Sequence, residues 1–148
     1  MDDPSFTAFA ATLAEHGNDV DALISAIGAF TIETPSWGYG NSGTRFKVFP
    51  WPGAARTVYE KLADAAEVQR VTGVCPAVAL HIPWDHTDDW DALARHAQGL
   101  GLRIGAINPN LFQDEHYRLG SLAHPDLGMR QQAIDHVREC IAIARTLG

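Results

Sequence analysis

The period of the apolar positions changes several times along the chain, and each change marks an element. Over residues 5–16, Phe6, Phe9, Ala10 and Leu13 recur at helical spacing, and a second short helix is expected over 20–27, after the turn residues Gly17 and Asn18. Residues 29–37, AFTIETPSW, are rich in β-favouring side chains and closed by Pro35, so they read as a strand running into a loop. That loop holds Gly38, Gly40 and Gly43, then Thr44-Arg45-Phe46 and Phe49-Pro50-Trp51-Pro52-Gly53; it reads equally as a lid or as an ordinary flexible connection. A helix follows over 55–72, with Val58, Leu62, Ala65, Ala66 and Val68 on its apolar face and Gly73 as its stop. The run VCPAVALHIPW is too short and too continuous for an amphipathic helix and suits a strand buried on both faces of a parallel sheet. A helix over 90–98, stopped by Gly99 and Gly101, leads to a third strand from 102 to about 108. After a polar loop to His124, Pro125 opens a long helix reaching residue 147.

Strand then helix, three times over, implies parallel pairing through crossover connections. The expected fold class is α/β: a partial (β/α)8 barrel of about three parallel βα units over 29–148, preceded by two leading helices over 1–28. A closed barrel needs eight units, typically about 250 residues, and three strands leave two unpaired edges, so the chain reads as incomplete, stopping where a fourth strand is expected.

Composition narrows the classes of function. With 46% hydrophobic and 20% charged residues the chain has the makeup of a soluble globular protein with a core. A net charge of -7 and no Lys/Arg cluster argue against a nucleic-acid partner. Asp2 and Asp3 stand where a signal peptide carries basic residues, and no apolar run approaches the roughly 20 residues that span a bilayer, so no membrane partner and a cytoplasmic location are expected. Cys75 opens the second strand and Cys140 lies within the last helix; without a CxxC spacing they read as two buried free thiols.

In a barrel the working face lies at the C-terminal ends of the strands. Strand one delivers Glu33, Ser36 and Trp37 there, strand two His81, Trp84 and Asp85, and strand three Asn108, Asn110 and Phe112. Convergence of hydroxyl partners with flat apolar surfaces is what a carbohydrate pocket requires. His81 is the sharpest of these, since it interrupts an apolar strand at its end, where an imidazole can bind a hydroxyl or move a proton; the other reading is a histidine satisfied within a polar mouth. Trp37 and Trp84 read first as core fillers, as an aromatic at a strand end usually is, and second as stacking surfaces. Glu33, Asp85, His86, Asp114, Glu115, His116, His124 and His136 are isolated metal-ligand types without a ligand spacing, expected to be mostly solvated, with His136 on a helix surface. No metal ligand is assigned, and no nucleotide-binding signature occurs.

Three strings carry more than the pattern: PSWGYGNSGTRF (35–46), TGVCPAVALHIPWD (72–85) and INPNLFQDEHYRLGSLAHPD (107–126). Each lies at a strand end, and together they resemble the corresponding segments of L-rhamnose isomerases of the xylose-isomerase-like type, a likeness spanning nearly all of the chain from about Phe30. The resemblance implies a homotetrameric (β/α)8 enzyme that interconverts an aldose and a ketose, with two divalent ions, often manganese, and L-rhamnose or a related sugar as its small-molecule partner. It makes His81 the substrate-binding histidine and Trp37 an aromatic wall. Phe46 and Phe112 become pocket phenylalanines, some contributed by a neighbouring subunit, and Trp84 a further substrate contact. In that family the Glu, Asp and His metal ligands follow the third strand, so no catalytic or metal residue carries over, and the chain alone is expected to be inactive. Related readings are a sugar epimerase or inosose dehydratase of the same superfamily, or a non-catalytic half-barrel that self-associates.

Overall fold

A computed structural model describes residues 3–41 and 49–148, so Gly43 to Phe46 of the first loop, including the expected pocket residue Phe46, lie outside the described residues. The chain divides into two compact units, residues 1–31 and 32–148.

The first unit is a helical hairpin. α1, Pro4–Glu15, starts where Asp3 accepts the amide of Ser5 with Pro4 at the first helical position, and α2, Val20–Gly28, starts where Asp19 accepts from Asp21 and Ala22. Gly17, at φ 77°, makes the turn between them. No residue of either helix is buried, and Phe9, Leu23, Ile24, Ile27 and Phe30 are exposed.

The second unit is a three-stranded parallel sheet with helices between its strands, a partial β/α fold of the expected class. β1 (Glu33–Pro35) runs into a 3-10 turn at Ser36–Gly38, α3 (Val58–Thr72) leads to β2 (Ala77–Ile82), α4 (Trp90–Gly99) to β3 (Arg103–Pro109), and α5 (Leu127–Leu147) completes the order. β2 is central, paired in parallel with β1 and β3. β1 is far shorter than the nine residues expected, because Ala29 is still the C-cap of α2 and the chain turns directly after Pro35. α3 begins three residues later than its apolar spacing suggests: Thr57 and Glu60 form a capping box that fixes its start, and Gly73 ends it at φ 69°.

Strand alternation sorts the sheet into two faces. Val78 and Leu80 pack with Val58, Leu62 and Ala65 of α3 and with Leu93 and Ala97 of α4, while Ile82 joins Cys140 and Ile143 of α5. Cys75 and Cys140 are buried free thiols, as expected. Burial, with Glu139 nearby, pushes the Cys140 thiol up to about 11, so it stays protonated and inert near neutrality. Alternation puts Glu33, Pro35, Ala77, Ala79 and His81 on the other face of the sheet. Among the described residues no helix is long and apolar enough to cross a membrane.

Candidate substrate site at the strand ends

β2 places His81 at its C-terminal end, where the residue is 5% exposed. Three aromatic rings surround the imidazole. Trp84 stacks on it with centroids 3.9 Å apart and 18° between planes, and Trp37 and Phe112 meet it edge-on at 5.5 and 5.8 Å. Four of the five side chains singled out from sequence thus converge on one point, although His81 lies in β2 while Trp37 and Phe112 follow β1 and β3.

What holds this cluster is a buried carboxylate, at one of the positions where mostly solvated groups are expected. Asp85 is 1% exposed. One of its oxygens accepts the backbone N–H of His81 at 2.7 Å and the hydroxyl of Ser36, and the other meets Lys61 Nζ of α3 at 2.5 Å. An unpaired buried charge is costly, and here a cation and two hydrogen bonds offset it, so α3, the turn carrying Trp37 and the end of β2 are tied at one atom group. Lys61 was detectable in principle: it lies on the same helical face as Val58, Leu62 and Ala65, where a cation needs a partner. Asp85 gave no such local signal.

His81 Nδ1 is buried and has no hydrogen-bond partner among the described residues. Burial holds the imidazole below its ordinary pKa; Asp85 opposes the shift, while His136 and Lys61 reinforce it. The ring is therefore neutral near neutrality, able to accept or donate one hydrogen bond at each nitrogen according to its tautomer.

Around this point the loop after β3 is braced. Asn110 donates its backbone N–H to Ile82 at 2.9 Å, and Gln113 Oε1 accepts from both Trp84 Nε1 and Asn110 Nδ2. Gln113, which sequence reasoning passed over, is what orients the indole of Trp84. A cleft of about 580 Å³ opens beside Trp84, lined by Asn110, Gln113, Tyr117, His136 and Glu139 among others. His136 is half-buried rather than on a helix surface: Nε2 lies 3.2 Å from the Ile82 carbonyl oxygen and Nδ1 2.9 Å from Glu139. Its position was legible, because Ala133, His136 and Cys140 fall on one helical row and both neighbours in that row are buried.

The remaining ligand types are taken up by other partners. Glu33 accepts the amide of Ala106, Asp114 accepts that of His116, His124 Nδ1 accepts that of Asp126, and the exposed His86 faces Asp88 at 3.5 Å. Among the described residues no three His, Cys, Asp or Glu side chains are grouped to hold a metal ion. These residues therefore do not fit the divalent ions that the resemblance implies.

No family model matches the chain. Two curated proteins are similar to it along most of its length. A protein named probable sugar isomerase from Rhizobium meliloti (strain 1021) is 45% identical over 141 residues, and another of the same description from Mesorhizobium japonicum is 41% identical over 141. Each match takes in 92% of this chain but 33% of the relative, so the chain spans about a third of the length of the curated relatives it matches.

Proposed function

We propose that this chain supplies sugar-holding strand ends of an aldose–ketose isomerase of the L-rhamnose type, built on a (β/α)8 barrel in the complete enzyme. The observation that carries the proposal is His81, with one ring nitrogen buried and unpartnered inside a surround of Trp84, Trp37 and Phe112. A sugar answers both features. Its hydroxyls offer the missing hydrogen bond, and its C–H faces rest on aromatic rings. An orphaned buried nitrogen costs about 1–3 kcal/mol, so a hydroxyl that reaches it regains free energy that an apolar ligand would leave unclaimed. The name carried by both relatives supports the isomerase class, and the three strand-end strings support the L-rhamnose type within it.

Isomerisation between aldose and ketose moves one hydrogen between C1 and C2 of the sugar. We assign the divalent ions of that reaction, manganese among them, to polypeptide outside the described residues in a homo-oligomeric enzyme. The isolated 148-residue chain then binds sugar without turning it over.

Titrating isotopically labelled chain with L-rhamnose tests this. Saturable shifts are expected at the Trp37 and Trp84 indole N–H and at the His81 ring; their absence with L-rhamnose and with other aldoses would sink the sugar reading. With added Mn²⁺ and L-rhamnose the chain is expected to yield no L-rhamnulose, and detection of that product would overturn the assignment of the metal centre elsewhere.

A further inference from the structure

β3 reaches the His81 site by a detour. On β2 two steps separate Val78 from Leu80, but their partners on β3, Ile104 and Ile107, are three residues apart, so β3 carries one extra residue opposite Ala79. Gly105 and Ala106 share that place. The extra residue reverses the alternation: Ile104 and Ile107 both pack toward the helices, and Asn108 comes into register with His81. Without the bulge Asn108 would fall on the helix-facing side. With it, Asn108 lies beside His81 and donates Nδ2 to the Leu80 carbonyl oxygen at 3.1 Å.

A bulge leaves an amide without its ladder partner, and here a side chain from two strands away accepts it. Glu33 of β1 reaches across β2, where Ala77 and Ala79 leave room, and both its carboxylate oxygens lie 3.2 Å from the Ala106 nitrogen. A Cβ on Gly105 would coincide with that carboxylate. Carboxylate and glycine are therefore one device, since the first can stand there only because the second has no side chain.

We propose that Glu33 and Gly105 are positioning residues that hold the β3 bulge and so turn Asn108 toward His81. The geometry stands by itself; its value to a sugar site rests on the reading above. Three variants of the full chain test it: Glu33→Ala, Glu33→Gln and Gly105→Ala. Amide hydrogen exchange and the Asn108 side-chain resonances are followed by NMR. Glu33→Ala and Gly105→Ala are expected to speed exchange at Ala106 about tenfold or more and to shift the Asn108 NH₂ signals, while Val78, Leu80 and Ile82 keep their protection. Glu33→Gln, whose amide oxygen still accepts, is expected to restore both signals. Unchanged Ala106 and Asn108 in Glu33→Ala would overturn the proposal. So would equal loss of protection at Val78 and Leu80, because Glu33 would then be stapling the sheet and not aiming one strand end. The L-rhamnose titration of the unaltered chain is a separate arm: no shifts there, with the Glu33 effects intact, removes the sugar reading alone.

Discussion

A histidine set among three aromatic rings responds to pH in a direction fixed by its burial. Folding depresses the His81 pKa, chiefly by desolvation, so between that value and the ordinary value of about 6.5 the unfolded chain binds more protons than the folded one. Stability from this residue is complete above about pH 6.5 and falls as pH drops through that value toward the depressed one. The thermal midpoint should therefore decline from about pH 7 to about pH 5 more steeply in the unaltered chain than in His81→Gln, measured by circular dichroism; equal slopes would mean that folding leaves the imidazole's proton affinity unchanged. His81, Trp37, Trp84 and Phe112 were legible in the sequence because parallel strands deliver their ends to one edge, so position along the pattern stands in for position in space. Asp85 was not. Its partners Ser36 and Lys61 lie 49 and 24 residues away, and nothing in the string HIPWD says that its carboxylate turns inward.

Elements are held in this fold by a few long side chains as much as by the apolar core. Lys61 anchors α3 to the end of β2 through Asp85, with both side chains almost wholly removed from solvent. Lys61→Met leaves that carboxylate buried and uncompensated. A loss of about 3–5 kcal/mol is expected in urea unfolding, large against the roughly 5–15 kcal/mol of a typical domain. Lys61→Met combined with Asp85→Asn should cost less than the sum of the two single changes, since the second removes the charge that the first strands; strict additivity would show that the pair does not couple. Helix positions were readable from caps and apolar rows, and the order of strands from their continuous apolar runs. The β3 bulge was not readable, because RIGAINP alternates acceptably in either register and the choice is made by Glu33, some seventy residues earlier in the chain.

At the scale of the sheet as a whole, β1 and β3 are edges, each paired on one side only among the described residues. Free edges recruit strands, and three features here blunt them. β1 has three residues and ends in Pro35, which has no N–H to offer; β3 closes with Pro109; and the bulge interrupts β3 in its middle. What remains open is split into short pieces on either side of the bulge, enough for weak pairing and too little for a tight interface. The chain is expected to self-associate weakly, its weight-average sedimentation coefficient rising with concentration. Glu33→Ala should leave that concentration dependence unchanged, because the Ala106 amide it bears on lies toward β2 and not on the open edge. If Glu33→Ala instead associates at lower concentration than the unaltered chain, the Ala106 amide is offered to the open edge of β3 and the Glu33 carboxylate protects it.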